Sequence, residues 1–470
     1  MDTIVGRKQE IKRLQQLYNS GKPEFVAVFG RRRVGKTFLI RELFEKNFVF
    51  DLTGLAKGDL KNQLFNFHFS MKNATEQEFS VPSSWLEAFE QLITLLKNSP
   101  QKRKVIFIDE ISWFDTYKSG FITGLEHFWN GWACSKNDIM LIVCGSATSW
   151  IVNNLINNHG GLYNRVTATT ELLPFTLHET ALFLKHKNIE WTHYQIVEAY
   201  MIMGGIPFYL DKIQRGSGVE QNIDNLFFNK KGELKKEFQN LYASLFENSK
   251  DYEKIVEILS RNRNGLTRNE IIKQAKMKSG NRITTILNNL EYSGFIRSYS
   301  QPKRKNEIIF QLIDFFTLFH FRFLQNNNFR DECFWTNNLN TPQHNTWAGL
   351  SFEIVCLLHV REIKKKLEVL GVQSTEYAWR SKNSETAVQI DLILDRADNI
   401  INICEIKYAG TQYSITKNYE EKLREKIDCF RLEITSRKAI HLLMLTTFGL
   451  KQNKYSGIVQ NEVTLDDLFL

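Results

Sequence analysis

Gly30-Arg31-Arg32-Arg33-Val34-Gly35-Lys36-Thr37 follows the apolar run Phe25-Val26-Ala27-Val28-Phe29 and opens Phe38-Leu39-Ile40-Arg41-Glu42-Leu43-Phe44. The octapeptide is G-x-x-x-x-G-K-[ST], set between a predicted strand and a predicted helix as that motif requires. Its glycines let the backbone curl so that N–H groups from Gly30 through Phe38 face phosphate oxygens, and the helix N-terminus adds partial positive charge. Lys36 is expected to reach the β- and γ-phosphates of a nucleotide, and Thr37 to ligate Mg²⁺. A chance glycine-rich turn would leave the flanking strand and helix unexplained.

Two further strand ends fit this reading. Val105-Ile106-Phe107-Ile108 runs into Asp109-Glu110. Asp109 is expected to hold Mg²⁺, directly or through water, and Glu110 to orient or deprotonate the attacking water. Alone, such an acid pair is equally a solvated strand end. Ile139-Met140-Leu141-Ile142-Val143-Cys144 ends in Gly145-Ser146-Ala147-Thr148-Ser149. Ser146, with Thr148 behind it, is the candidate to sense the γ-phosphate or position water. The competing reading is a helix cap. Arg165, in Leu162-Tyr163-Asn164-Arg165, is either a residue that steadies transition-state charge, in cis or on a neighbouring subunit, or a solvated arginine.

With these pieces the chain resembles the archaeal and bacterial P-loop ATPases of the AAA+-related signal-transduction group. The matching segments are Val5-Gly6-Arg7-Lys8-Gln9-Glu10, the Arg-rich phosphate loop, Ile108-Asp109-Glu110, Gly145-Ser146, Tyr163-Asn164-Arg165, Leu173-Pro174-Phe175-Thr176 and Gly204-Gly205-Ile206-Pro207-Phe208-Tyr209-Leu210. The resemblance implies ATP as cofactor, Val5–Glu10 near the adenine, Arg165 as an arginine finger, and Gly204–Pro207 within a helical lid. The family pattern often has Gly before that arginine, where this chain has Asn164.

Length and composition agree. A chain of 470 residues is expected to form two to four domains. It is 43% hydrophobic and 24% charged, which excludes disordered and collagen-like classes. The net charge of +9 permits nucleic-acid contact without establishing it. No segment approaches the ~18 uninterrupted apolar residues of a membrane span. The N-terminus carries no apolar export segment, and the six scattered cysteines lack metal or redox spacing. The expectation is a cytoplasmic protein with reduced thiols.

The texture predicts an α/β protein with a P-loop NTPase core over residues 1–165 and a helical lid over 166–249. A winged helix-turn-helix follows over 250–325, an Asn-rich connector over 326–346 and an α/β domain over 347–470. In the third segment, Tyr252–Leu259 is helical. Thr267-Arg268-Asn269-Glu270 is a capping box opening a second helix, and Ile283, Ile286, Leu287 and Leu290 face inward from a third. Phe295–Tyr299 and Glu307–Leu312 then form a hairpin around Gln301-Pro302-Lys303-Arg304-Lys305-Asn306. Residues 251–325 hold thirteen basic against seven acidic residues. Lys303, Arg304 and Lys305 at the wing, with Lys278 and Arg282 by the third helix, are where DNA phosphates would be met. Winged helices also serve as structural or protein-contact modules, and the two roles stand level here. Phe315-Phe316-Thr317-Leu318-Phe319 reads as core.

In the last segment Glu353 lies on a predicted helix, Asp391 on the strand Val388–Leu394, and Glu405 and Lys407 on the strand Ile403–Lys407. Glu405 and Lys407 share a face. A turn at Asp398-Asn399 makes the two strands a hairpin and sets Asp391 beside Glu405. Hard oxygens from Asp391 and Glu405, with the carbonyl of Ile406, suit Mg²⁺. Lys407 can position water or steady a phosphate, and Glu353 completes the acidic cluster. Gln389, Lys417 and Tyr419 are the candidate assistants. The alternative is ordinary surface alternation with Lys407 paired to Glu405. The order E…D…E-x-K resembles the PD-(D/E)xK nuclease superfamily, with its restriction-endonuclease-like fold. The resulting expectation is a Mg²⁺-dependent ATPase switch, able to form a homo-oligomer in ATP, joined to a nuclease-like domain acting on nucleic acid, DNA in the first instance. The runner-up is a DNA- or protein-binding switch with an inactive nuclease fold. A helicase or translocase ranks last, because additional helicase motifs were not found.

Overall fold

Glu24–Phe29, buried at all six residues, forms β1 at the heart of a parallel sheet. The computed structural model describes residues 4–158, 160–246, 248–301, 304–381 and 388–470. The other strands of this sheet are β2 (Phe48–Thr53), β3 (Lys104–Asp109), β4 (Ile139–Gly145) and β5 (Ala168–Glu171), in the order β2-β3-β4-β1-β5. All four pairings are parallel. Both faces of such a sheet need cover, which explains the continuous apolar runs. Helices Leu60–Ala74, Trp85–Asn98 and Phe121–Gly131 cover one face, turning Leu64, Phe67 and Met71, then Phe89, Leu92 and Leu96, then Leu125 and Phe128 into one core with Phe25, Ala27, Ile106, Ile108, Leu141 and Val143. The i, i+3, i+4 spacing makes each of these faces. Each such side chain contributes about 1.5–3 kcal/mol by leaving water. Gly124 permits close helix contact, since a Cβ there would lie 2.9 Å from that of Trp85.

The chain divides into two compact units, residues 1–174 with 292–294, and 175–291 with 295–470. The expected end of the core at residue 165 therefore needs correction. Ala168-Thr169-Thr170-Glu171 is the fifth strand, parallel to β1. It was not legible as a strand because an edge strand of four residues lacks the buried apolar run of its neighbours.

The second unit begins with helices Leu177–His186 and His193–Met203, each opened by a full capping box, Thr176 with Glu179 and Thr192 with Gln195. Helices Ser249–Ser260, Arg268–Ala275 and Asn281–Tyr292 follow. The predicted box Thr267/Glu270 opens the second of these. Ile283, Ile286, Leu287 and Leu290 are buried as expected. Strands β6 (Leu266–Thr267), β7 (Ile296–Gln301) and β8 (Arg304–Leu312) form an antiparallel sheet in the order β6-β8-β7. Lys303 lies outside the described residues, and the side chains of Arg304 and Lys305 are likewise not described. Phe315, Phe316 and Phe319 are core residues.

The connector also needs correction. Phe334–Asn337 is a helical turn with Trp335 buried, and the next helix runs Pro342–Leu358, starting inside the expected linker. Thr341 caps it by accepting from the His344 N–H, and Pro342 takes the first turn, where its missing N–H does no harm. The last sheet holds β9 (Ser374–Arg380), β10 (Gln389–Arg396), β11 (Ile400–Lys407), β13 (Ala439–Thr446) and β15 (Asn461–Thr464), in the order β15-β13-β11-β10-β9. The pairs β9/β10 and β10/β11 are antiparallel, while β11/β13 and β13/β15 are parallel. Two short strands, β12 (Tyr413–Ser414) and β14 (Leu450–Lys451), pair separately. Helix Lys417–Ile434 covers the sheet with Leu423 and Phe430, the latter edge-on to Trp379 at 5.2 Å.

Candidate functional site

The first site lies at the carboxyl ends of β1, β3 and β4. The loop leaving β1 turns through three positive-φ residues, Gly30 (139°), Arg33 (72°) and Gly35 (90°). Gly30 is required twice over, by that dihedral and because a Cβ would fall 2.3 Å from the Leu172 carbonyl oxygen beside β5. Helix Lys36–Phe44 starts where the loop ends, so its first N–H groups face the loop's concavity. The Lys36 ammonium is buried and donates to the carbonyls of Gly30 and Arg31, both at 2.9 Å. Burial pulls its pKa below the ordinary lysine value, against the opposing pull of Cys144, Glu110 and Asp109.

Thr37 Oγ1 donates to Asp109 Oδ2 at 2.7 Å, joining the two oxygens expected around Mg²⁺. Glu110 sits in the left-handed region at φ 48°, a conformation that costs a non-glycine residue of order 1 kcal/mol or more. Its N–H donates to Asp109 Oδ1 at 2.9 Å, and its carboxylate accepts from Ser146 Oγ at 3.0 Å and from the Ser146 N–H at 3.3 Å. Strand order explains this contact. Strand β4 lies between β1 and β3, so its tip is the neighbour of both the loop and the acids. The short helix Thr148–Ile151 has Ala147 as N-cap with no side-chain cap, so the Ser146 hydroxyl serves Glu110 rather than a helix end. Thr148 is buried behind it. Arg7 Nη2 donates to the Val34 carbonyl at 3.4 Å, bringing the Val5–Glu10 segment against the phosphate loop. Phe38 is half exposed. Arg165 is exposed, follows Asn164 in the left-handed region, and bonds through its N–H to the Leu162 carbonyl.

The second site is in the C-terminal sheet. Strands β10 and β11 form the expected hairpin, with Leu392 opposite Cys404. The expected cluster of three carboxylates around one cation is not what the side chains make. Among the described residues, three or more His, Cys, Asp or Glu do not gather as a metal site. Cationic side chains divide the acids instead. Arg263 grips Glu353 through both Nη2 and Nε, the latter at 3.0 Å, and donates from Nη2 to Asp391 Oδ2 at 3.2 Å. Burial works against the Arg263 charge, but Asp391 and Glu353 more than offset it and raise its pKa. Burial first and Asp391 second push the Glu353 carboxyl up to about 8, against the pull of Arg263.

Glu405 is held by Lys407 at 2.9 Å, Lys426 at 2.5 Å and the Tyr419 hydroxyl. Burial resists its ionisation, but Lys426 and Lys407 win and bring it down to about 2. Gln389 donates to Asp391 at 2.7 Å. Lys417, by contrast, is exposed and spends its charge on Glu421. Sequence reasoning missed Lys426 and Arg263. Lys426 was findable, since Tyr419, Leu423, Lys426 and Phe430 recur at helical spacing on one face. Arg263 lies 90 residues before Glu353 and 128 before Asp391, with no local signal. Of the basic residues assigned to DNA, Lys278 is exposed and Arg282 is engaged by Asp251.

Residues 4–213 match the family model ATPase_2, an ATPase domain predominantly from Archaea. Over 367 residues, 77% of this chain and 78% of the relative, the chain is 24% identical to the uncharacterized protein MJECL04 of Methanocaldococcus jannaschii. A stretch of 42 residues, 9% of this chain and 71% of the relative, is 44% identical to the uncharacterized ATP-binding protein MJ0423 of the same organism. Among solved structures, the Walker-type ATPase PABY2304 of Pyrococcus abyssi is 17% identical with a TM-score of 0.49, covering 68% of this chain and 96% of that one. The ORC2 protein of Aeropyrum pernix is 11% identical with a TM-score of 0.41, covering 75% and 95%.

Proposed function

Since residues 4–213 form an ATP-binding P-loop ATPase domain of the ATPase_2 family, we propose that the chain is an ATP-hydrolysing switch whose remaining segments act on nucleic acid. The observation that carries the hydrolytic half is the run of contacts Thr37–Asp109–Glu110–Ser146. Thr37 and Asp109 offer adjacent hard oxygens that fit Mg²⁺, which when bound would neutralise charge on the phosphates. Lys36 would leave the loop carbonyls for the β- and γ-phosphates. Glu110, held by Ser146 at the strand tip, would orient or deprotonate water once released toward the nucleotide. Arg165, whose side chain is exposed, would serve a neighbouring subunit or its own site.

For the second half, the three helices and hairpin of residues 249–312 support a winged helix, with Lys278 available to phosphates. The order helix, three antiparallel strands, helix, parallel strand, with Glu353, Asp391, Glu405 and Lys407 on it, supports a PD-(D/E)xK-like domain. Asp391 and Glu353 are acids with a cation between them, a donor set that fits a divalent metal in the guanidinium's place. A second reading is favoured by that same guanidinium: a switch that binds DNA or protein through an inactive nuclease fold. Purified protein with ATP, Mg²⁺ and DNA or RNA, scored separately for hydrolysis and cleavage, tests both halves. Hydrolysis without cleavage of any nucleic acid leaves the second reading. Failure to bind ATP removes the first.

A further inference from the structure

Arg263 belongs to the loop between helix Ser249–Ser260 and β6, yet its side chain ends among the acids of the C-terminal sheet. The loop is stitched at several points. Gln311 of β8 donates to the Arg263 carbonyl at 2.9 Å, and the Tyr299 hydroxyl of β7 donates to the Asn264 carbonyl at 2.9 Å. Gln389 of β10 donates to Asn264 Oδ1 at 2.5 Å and to Asp391 Oδ1. The β7–β8 hairpin and the acid-bearing strand thus hold the same loop from two sides. The Arg263 side chain remains 45% exposed. A cavity of about 320 Å³ opens beside it, lined by Arg261, Arg263, Arg322, Gln325, Glu353 and Asp391.

We propose that Arg263 is a built-in cation that occupies the metal position between Glu353 and Asp391, so that a divalent metal binds there only weakly until a phosphodiester draws the arginine away. The inference rests on the nuclease-like reading of those acids. Arg263 already takes both Glu353 oxygens and Asp391 Oδ2, and Gln389 takes Asp391 Oδ1, so a metal ligated by these acids must displace the guanidinium. The planar fork of a guanidinium matches phosphate as well as carboxylate, whereas an ammonium does not match either in two-point fashion. A backbone phosphate in the arginine-lined cavity is therefore a competitor for Arg263. Its arrival supplies both the substrate and the vacancy for metal. Movement of the hairpin would shift the arginine through Gln311 and Tyr299.

The test is Mn²⁺ binding to the full chain without nucleotide, by titration calorimetry, taking as the site's signal the part abolished by Asp391→Asn. Arg263→Ala should bind Mn²⁺ about tenfold or more tightly than wild type at that site, the order expected when one charge-assisted contact no longer has to break. A short DNA duplex added to the wild type should shift affinity the same way. Arg263→Lys should fall between. Equal affinities for wild type and Arg263→Ala at the Asp391-dependent site would overturn the proposal and leave the metal-site reading standing. Absence of Asp391-dependent Mn²⁺ binding in every variant would overturn that reading and this inference with it. Should Arg263→Ala fail to fold, amide exchange in the wild type decides. Saturating Mn²⁺ should speed exchange across residues 261–265, and unchanged protection there would refute the exclusion.

Discussion

Replacing Lys36 with Ala separates what the loop needs from what a nucleotide needs. In the nucleotide-free protein the ammonium bridges two carbonyls of its own loop at 2.9 Å. Removing it deprives those carbonyls of a charged donor but also relieves the desolvation of a buried charge. These terms oppose, so the ATP-free unfolding midpoint should move little. Binding has no such offset. A charge-assisted contact to phosphate is worth roughly 1.5–3 kcal/mol, which is about a 10- to 100-fold rise in Kd for ATP. At ATP equal to ~100 times the wild-type Kd, ligand stabilisation is about 2.7 kcal/mol. The variant should retain about 1.4 kcal/mol after a tenfold loss and about 0.4 kcal/mol after a hundredfold loss. Titration calorimetry gives the Kd, and urea unfolding with and without ATP gives the stabilisation. An unchanged Kd in Lys36→Ala would refute the assignment of this loop to phosphate.

Three further outcomes are expected. Glu110→Gln should keep ATP affinity within a few-fold while losing ~10²–10⁴ in hydrolysis rate, the range for a positioned general base; phosphate release at the wild-type rate would dismiss Glu110 from that role. Arg165→Ala should bind ATP normally and hydrolyse it slowly, and mixing it with Lys36→Ala should restore activity if the arginine acts across subunits; light scattering in ATP that shows a monomer, with no rescue at any ratio, argues against it. Glu198, pushed up to about 7 by burial and then by Glu220, sits above the ~4.3 of an unfolded glutamate. Its contribution is whole below about pH 4 and lost as pH rises through 7, so Glu198→Gln should raise the melting temperature relative to wild type more at pH 8 than at pH 5.

Much of the nucleotide site was legible because its chemistry is local. A glycine-rich turn between strand and helix, an acid pair ending one apolar run, and a serine ending the next are each readable within ten residues. What joins them is not local. The bond from Ser146 to Glu110 depends on β4 lying between β1 and β3, a fact of strand order that no short stretch encodes. The same division runs through the second unit. Glu353, Asp391, Glu405 and Lys407 were readable from alternation on strands and a predicted helix. Arg263 was invisible, because a loop arginine has no periodicity and its partners come from other elements. The early start of helix Pro342–Leu358 was carried by Thr341-Pro342, a cap and first-turn pair hidden in an Asn-rich stretch.

The insertion of β4 between the loop strand and the acid strand sets the Ser146 tip against Glu110. From Ser146 the chain runs directly through Thr148–Ile151 and the following turn Val152–Ile156 to Tyr163-Asn164-Arg165. Ser146, the residue bonded to Glu110, stands nineteen positions before Arg165 in the sequence. If Arg165 serves the same nucleotide, effects at the two positions would not add. Substitutions at Ser146 and Arg165 would behave as two faults on one line, the second having little left to break once the first is in place.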